Sequence, residues 1–153
     1  MRLPHLLGNE GLKQALSVLP AGGLGSAILI DGPAGSGKRT AAGDLCQALL
    51  CTGKDAPCRA CPSCRRVAAG SHPDLFWLEE SEPGKGVRLE QVRDLRAQSF
   101  LRPSEAPYKI FVIPQADKLN LPSQNALLKV VEEPTSSLFV LLCENREAML
   151  QTV

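Results

Sequence analysis

Hydrophobic residues along this chain follow two patterns, and each pattern predicts a different kind of element. Short continuous apolar runs are typical of buried strands, and they occupy residues 26–30, 75–78, 108–113 and 138–143. Apolar residues spaced three or four apart predict helices over residues 8–19, 38–50, 89–100 and 123–133, and a last helix starts at Arg146. Strands that alternate with helices in this way predict an α/β fold with a parallel sheet and helices on both of its faces.

A glycine-rich stretch, GPAGSGKRT at residues 32–40, directly follows the first predicted strand. Its spacing of Gly32, Gly37 and Lys38 is that of a phosphate-binding loop, in which backbone N–H groups and a helix N-terminus face the phosphate oxygens. The alternative is an ordinary glycine-rich turn, which the preceding strand and the lysine disfavour. The candidate nucleotide-binding residues are Gly32, Pro33, Ala34, Gly35, Ser36, Gly37, Lys38, Arg39 and Thr40.

The residue after Lys38 departs from the pattern of a working loop. A serine or threonine hydroxyl normally helps to hold Mg²⁺ there, but this chain has Arg39. Arg39 either touches phosphate or a neighbouring residue or is a solvated surface residue, and the solvated position is the expectation. Thr40 is not a simple substitute, because one helical step rotates a side chain by about 100°. We therefore expect phosphate binding to survive this change better than metal positioning does.

A second departure follows the strand YKIFVI at residues 108–113. A working ATPase places carboxylates at the end of such a strand, where they hold Mg²⁺ and position the attacking water. Pro114 and Gln115 occupy these positions here, and Asp117 lies further along, where we expect it to cap the following segment. Two alternatives remain for the loop: it binds ATP or ADP, or it is vestigial. Hydrolysis of ATP by this chain is not expected in either case.

Four of the six cysteines follow the spacing Cys-x6-Cys-x2-Cys-x2-Cys over residues 51–64. Four thiolates can surround one Zn²⁺ tetrahedrally and leave no position open for water, so the predicted role is structural. The alternatives are free thiols in a loop and a zinc module that binds nucleic acid, although the insert has neither interleaved aromatics nor a long basic run. The predicted ligands are Cys51, Cys58, Cys61 and Cys64, and Cys46 and Cys143 are predicted core residues.

Four other residues are assigned simpler roles. His72 precedes a proline and is expected in a loop, whereas Trp77 lies on a predicted strand and is expected in the core. Glu132 and Glu133 end a predicted helix, where two negative charges oppose the helix dipole. Either a partner or an arginine lies near these two glutamates or their side chains are exposed to solvent, and exposure is the expectation.

Length, charge and composition limit the number of domains and the kinds of partner, but they do not change the predicted fold or sites. The 153 residues are enough for about one domain, and 17 basic against 16 acidic residues argue against a strongly basic nucleic-acid surface. The N-terminus shows no signal-peptide pattern, and no apolar run approaches the ~20 residues of a membrane span. We expect a cytoplasmic protein without a membrane association.

Several of these segments together resemble one known family. The loop GPAGSGKRT, the four-cysteine spacing, KIFVIPQADKLN and QNALLKVVEEP at residues 124–134 resemble the bacterial clamp-loader subunits of DNA polymerase III. The resemblance runs from about Gly8 to the C-terminus, and SQNALLKVVEEP is its most specific part. The motor subunits of that family carry Asp-Glu after the strand at 108–113 and Thr or Ser after the loop lysine. The departures at Arg39, Pro114 and Gln115 resemble the delta-prime branch of the family.

The resemblance implies an AAA+ nucleotide-binding core over residues 1–153, with a zinc insert at 51–64 and without the lid and collar domains that follow in the family. It implies a stator role in a pentameric ring with motor subunits and delta, which loads the sliding clamp onto primed DNA during replication. It also implies that the arginine finger, in a Ser-Arg-Cys motif, lies beyond Val153. The alternative interpretation is an active ATPase, either a clamp-loader motor subunit or another P-loop enzyme.

Overall fold

The computed structural model describes Glu10, Gln14 and residues 27–133 and 135–150. Its strands are β1 (Ala27–Asp31), β2 (Leu75–Trp77), β3 (Lys109–Ile113) and β4 (Ser137–Cys143). Its helices are α1 (Lys38–Leu50), α2 (Pro62–Ala68), α3 (Leu89–Ser99), α4 (Leu121–Glu132) and α5 (Arg146–Leu150), with a 3₁₀ turn at Ala116–Lys118. This alternation confirms the predicted α/β class. None of the helices within these ranges is long and apolar enough to cross a membrane.

The strands of the described residues form one parallel sheet in the order β1-β4-β3-β2. Strand β4 pairs with β1 through the register Ala27↔Phe139 and with β3 through Lys109↔Ser137, so it lies inside the sheet. Every residue of β3 and β4 is buried, which explains their continuous apolar runs. Because the strands are parallel, the residues that follow them meet at one edge of the sheet, where ligands bind in folds of this kind.

Helices cover the sheet on both faces, and alternate residues of β3 divide between two apolar cores. Phe111 packs in one core with Val92 of α3 and Leu127 of α4. Ile110 belongs to the other core, together with Cys46 of α1. This alternation is the pleat of a strand with two buried faces, and it confirms Cys46 as a core residue.

Two details of the fold differ from the sequence prediction. Helix α4 begins at Leu121 rather than at residue 123, because the Asn120 side chain accepts a hydrogen bond from Ser123 N at 2.9 Å and caps the helix. The insert after α1 contains the short helix α2, whose N-cap is Cys61. The helix predicted over residues 8–19 lies outside the described residues apart from Glu10 and Gln14.

Candidate nucleotide and metal sites

The candidate phosphate-binding loop connects β1 to α1, and its shape depends on three glycines. Gly35 and Gly37 have φ angles of 73° and 83°, a left-handed conformation that glycine adopts without steric cost. A Cβ on Gly32 would lie 2.9 Å from Ser36 Oγ, so a side chain there would force the loop to shift. Gly37 is also the N-cap of α1, so the loop leads into the positive end of that helix. This backbone suits an anion.

Lys38 lies across its own loop. Its Nζ donates hydrogen bonds to Gly32 O and Pro33 O, both at 2.7 Å. The start of the loop is held to the sheet, because Gly32 N donates to Cys143 O of β4 at 3.1 Å. A bound phosphate would therefore compete with two backbone carbonyls for the ammonium group, and the lysine side chain would turn to reach it.

Arg39 has two specific contacts, which corrects the expectation of a merely solvated residue. Its guanidinium forms an ion pair with Glu79 and lies 4.6 Å from the centre of the Trp77 ring. The Arg39 side chain is still 61% exposed. Trp77 is half-buried rather than fully inside the core, and its ring faces the guanidinium. A carboxylate and an aromatic ring thus hold this cation together.

A cleft of about 200 Å³ opens beside Arg39 at the carboxyl ends of β2 and β3. Its lining includes Glu79, Glu80, Pro114 and Gln115. The sequence prediction considered only the residues after β3 and missed the two glutamates. The signal was present, because both follow β2 in the stretch WLEE and β2 is the neighbour of β3 in the sheet.

The prediction that Asp117 caps the following segment is wrong. Its Oδ2 accepts hydrogen bonds from Glu144 N at 3.0 Å and Asn145 N at 2.9 Å, so the carboxylate fastens the segment after β3 to the loop after β4. Cys143, the last residue of β4, is buried as predicted. Burial raises the pKa of the Cys143 thiol, and the charges of Asp117 and Asp31 act in the same direction, so the thiol is neutral.

The four predicted metal ligands converge in the insert. The Sγ atoms of Cys51, Cys58, Cys61 and Cys64 all lie within 4.8 Å of one another. Zn–S bonds near ~2.3 Å in a tetrahedron require sulfur–sulfur separations of about 3.8 Å, so the cluster is close to the size of a four-thiolate zinc site. Cys64 is buried and the other three thiols are half-buried.

Backbone N–H groups point at the sulfur atoms of this cluster. Cys51 Sγ accepts hydrogen bonds from Gly53 N and Cys58 N, each at 3.3 Å. Cys61 N donates to Cys58 Sγ, and Cys64 N donates to Cys61 Sγ, also at 3.3 Å. Such donors stabilise the negative charge of thiolate ligands, and the residues present therefore fit Zn²⁺.

The cysteine cluster is tightly packed, and two of its thiols have shifted pKa values. A Cβ on Gly53 would lie 2.7 Å from Cys58 Sγ, so the turn requires glycine. Burial raises the pKa of the Cys64 thiol to about 12. Burial also opposes ionisation of Cys61, but hydrogen bonds from Cys64 and Thr52 outweigh it and lower the pKa of Cys61 to about 5. Metal binding would therefore have to displace the proton of Cys64.

His72 lies in a loop, as predicted, but it is buried and connects the insert to the sheet. Its Nδ1 accepts a hydrogen bond from Asp74 N at 3.1 Å, and its Nε2 lies 3.0 Å from Ser63 Oγ and 3.2 Å from Glu105 Oε1. Ser63 Oγ donates its proton to Leu50 O at 2.6 Å, so this serine is not poised as a nucleophile and the group is structural. Burial lowers the pKa of His72 and favours the neutral ring.

Asp74 fastens the same region to the segment before β3. Its carboxylate accepts hydrogen bonds from Ser104 N at 2.6 Å and from Glu105 N and Ala106 N, each at 2.9 Å. Burial opposes ionisation of this group, but the three N–H donors outweigh burial, and the pKa of Asp74 is lowered. No sequence pattern had pointed to this residue.

Glu133, just after α4, is paired with Arg96 of α3. Glu133 Oε1 lies 2.7 Å from Arg96 Nη2, and Glu133 Oε2 lies 3.1 Å from Arg96 Nε. For Glu133 the nearby arginine is therefore correct and simple exposure is wrong, whereas Glu132 is exposed as expected.

Comparison with known proteins identifies similar chains. The family model described as DNA polymerase III, delta subunit, matches residues 9–153. The DNA polymerase III subunit delta' of Pseudomonas aeruginosa is 38% identical over 126 residues, which cover 81% of this chain and 38% of that protein. The gamma/tau subunit of Mycobacterium tuberculosis is 34% identical over 153 residues, covering 97% of this chain and 26% of that protein. A crystal structure of a DNA polymerase III gamma subunit-related protein from Thermotoga maritima shares the fold, with a TM-score of 0.66 at 19% identity over 94% of this chain and 41% of that chain. This chain thus spans about two-fifths or less of each of these proteins.

Proposed function

Because this chain belongs to the family of DNA polymerase III clamp-loader subunits and is delta-prime-like, we propose that it acts as a non-motor stator subunit of a clamp loader. In this role it joins motor subunits and delta in a pentameric ring in the cytoplasm. The ring loads the sliding clamp onto primed DNA during replication. Residues 1–153 supply the AAA+ core with its zinc insert at 51–64, and this core does not hydrolyse ATP by itself.

The observation that carries this proposal is the composition of the cleft beside the loop. Mg²⁺ prefers oxygen ligands in near-octahedral geometry. Here the position of the hydroxyl ligand holds Arg39, a permanent cation that is paired with Glu79. Pro114 and Gln115 line the cleft where carboxylates would otherwise stand. The residues present therefore do not fit a magnesium ion placed for attack by water.

We assign the phosphate-binding role to the loop itself. Gly35 and Gly37 already hold the left-handed conformation that turns backbone N–H groups toward an anion. Lys38 supplies a positive charge at the same loop, and within the described residues its ammonium group would leave the backbone carbonyls of Gly32 and Pro33 to reach a phosphate. ATP or ADP would therefore bind through residues 32–40 without being turned over there.

We assign Zn²⁺ to the four-cysteine cluster. Thiolate ligands in a tetrahedron favour zinc over the hard cations, which prefer oxygen. Four sulfur ligands leave no open coordination position, so the metal would hold the insert between α1 and α2 and would take no part in a reaction. The cluster and its N–H donors support this assignment.

The test of the main proposal is ATP turnover, measured for the chain alone and after mixing with the motor subunits of a clamp loader. A mixture is needed because a neighbour can complete an ATP site at a subunit interface. Lys38→Ala is the control, since it removes the charge of the loop. We expect no turnover by the chain alone and unchanged turnover in the mixture when Lys38 is replaced. Turnover that disappears with Lys38→Ala would contradict the proposal.

An active ATPase is the second candidate, and specific observations favour it. The cleft contains Glu79 and Glu80, and Lys38 is intact. Asp117 Oδ1 is buried without a hydrogen-bond partner in the described part of the chain, and a cation could satisfy that oxygen. If turnover is found, loss of it in Glu80→Gln or Asp117→Asn would identify the carboxylate that supports it.

A further inference from the structure

The cleft geometry points to a further role for one residue: we propose that Arg39 keeps Mg²⁺ away from the loop, so that ATP or ADP binds there without a divalent cation. This inference rests on the proposed function, because it requires that the loop binds a nucleotide. It goes beyond the absence of turnover, since a site can bind a magnesium nucleotide without hydrolysing it.

The guanidinium of Arg39 lies at the carboxyl end of β2. Arg39 follows Lys38 in the first turn of α1, and its side chain reaches Trp77 of β2 and Glu79 just after that strand. The contact therefore bridges α1 and the carboxyl end of β2, and the guanidinium lines the cleft that Pro114 also lines. The contacts with Trp77 and Glu79 thus fix the guanidinium in the lining of the cleft.

Both glutamate carboxylates that line the cleft already have partners. Glu79 is paired with Arg39. Glu80 Oε2 accepts a hydrogen bond from Gly84 N at 2.9 Å. A divalent cation entering the cleft would meet the permanent positive charge of Arg39 and would compete with it for Glu79.

A guanidinium can supply the positive charge that a metal ion would otherwise provide beside the phosphates. Its planar set of N–H donors can bind two phosphate oxygens at once. Turning from the carboxylate of Glu79 to a phosphate exchanges one anionic partner for another. The charge of a bound di- or triphosphate would then be balanced by Lys38 and Arg39 together.

The test is calorimetric titration of the chain with ADP and with ATP, once with excess Mg²⁺ and once with EDTA. For the unaltered chain we expect dissociation constants that agree within about twofold in the two conditions. Arg39→Thr restores the hydroxyl and removes the cation, and we expect its binding to be at least about fivefold tighter with Mg²⁺ than with EDTA. Arg93→Thr makes the same substitution on the exposed surface of α3 and is expected to behave like the unaltered chain.

Three results would overturn the inference. These are tighter binding by the unaltered chain in Mg²⁺, metal-independent binding by a correctly folded Arg39→Thr variant, and no nucleotide binding by the unaltered chain. Arg39 is exposed, so the variant should fold, and a thermal unfolding curve checks this. None of these results involves turnover, whereas the proposed function fails on turnover that depends on Lys38. The two failures are therefore distinguishable.

Discussion

The four-cysteine insert and the cleft beside the phosphate-binding loop differ in where their parts come from. The four thiols and the N–H groups that point at them all belong to residues 51–64. The cleft instead joins Arg39 of α1 to residues after β2 and after β3. The insert shows that a site built from one segment can be complete by itself. The cleft shows that a site assembled at a sheet edge depends on every strand that ends there.

This difference has a consequence for mutations. The insert should couple metal binding to stability, because a preformed set of thiols does not exist in the unfolded chain. Exposed cleft residues such as Arg39 should affect ligand binding and leave stability nearly unchanged. Substitutions can therefore test whether the two regions differ as described.

The largest effect is expected for Cys64→Ala. Cys64 is the buried member of the cluster, and three remaining thiolates cannot complete a sulfur tetrahedron around zinc. Structural zinc is worth about 10 kcal/mol or more in zinc-finger peptides, which is comparable to the whole stability of a domain. We expect loss of stoichiometric zinc and a fall in Tm of more than about 10 °C. Elemental analysis and thermal unfolding measure the two quantities.

Cys46→Ala is the matched control for that experiment, because Cys46 is also fully buried but belongs to the core on α1. It should lose some stability through the small cavity and retain one zinc per chain. If Cys64→Ala kept both its zinc and its Tm, the cluster would not be a metal site.

Asp74→Ala should have the next largest effect. The substitution removes the buried carboxylate that accepts from the N–H groups of Ser104, Glu105 and Ala106. Hydrogen bonds to a charged acceptor contribute about 1.5–3 kcal/mol each, so we expect a loss of about 3 kcal/mol in the free energy of unfolding, measured with urea. Asp94→Ala, at an exposed position of α3, should change it by no more than about 0.5 kcal/mol. Equal effects of the two substitutions would contradict the role assigned to Asp74.

Features that one segment of the chain specifies could be predicted from the sequence, whereas contacts between distant segments could not. The strands and the helices between them were predicted because their apolar periods are local, and the boundaries were wrong where a side chain such as Asn120 adds a cap. The four cysteines were predicted because their spacing alone specifies the chemistry, and the structure brings their sulfur atoms together.

What could not be predicted are contacts between residues that lie far apart in sequence. The ion pair of Arg39 with Glu79 and the contact of His72 with Glu105 each require knowledge of which strands and loops are neighbours. Neither residue of these pairs stands in a pattern that selects its partner. The strand order β1-β4-β3-β2 was needed to place the glutamates of WLEE beside the loop.

Gly53→Ala should have an intermediate effect inside the insert. The added Cβ would lie 2.7 Å from Cys58 Sγ, so the metal-binding turn would have to move, at a cost of about 2 kcal/mol. Gly43→Ala is the matched control, because Gly43 lies within α1 and an added Cβ there meets no atom within 4 Å. We expect Gly43→Ala to stabilise the chain by about 0.5–1 kcal/mol, since alanine favours helix. Urea unfolding with zinc present should show a lower free energy of unfolding for Gly53→Ala and a higher one for Gly43→Ala. A change in the same direction for both variants would contradict the crowding at Gly53.

The smallest effect concerns pH and the link between the insert and the sheet. Burial holds the pKa of His72 below its ordinary value of 6.5, although Glu105 and Asp74 favour its protonated form and Arg66 opposes it. As the pH falls below about 6.5, the unfolded chain therefore takes up this proton before the folded chain does, and stability decreases. The carboxylate of Asp74 also contributes to stability, because its pKa is lowered in the folded chain. That contribution is complete above the ordinary carboxyl pKa of about 3.9 and is lost only in more acidic solution, so it does not change between pH 7 and pH 5.5.

His72→Asn isolates this effect, because an amide oxygen at this position can still accept the hydrogen bond from Asp74 N while the side chain no longer titrates. Between pH 7 and pH 5.5 the stability of the unaltered chain should therefore fall more steeply than that of the variant. Urea unfolding at each pH measures the two slopes. Bound zinc must be measured alongside, since thiolate protonation also releases metal in this range. Parallel slopes with equal zinc would show that the pKa of His72 is the same in the folded and the unfolded chain, and the effect of burial on this ring would then be wrong.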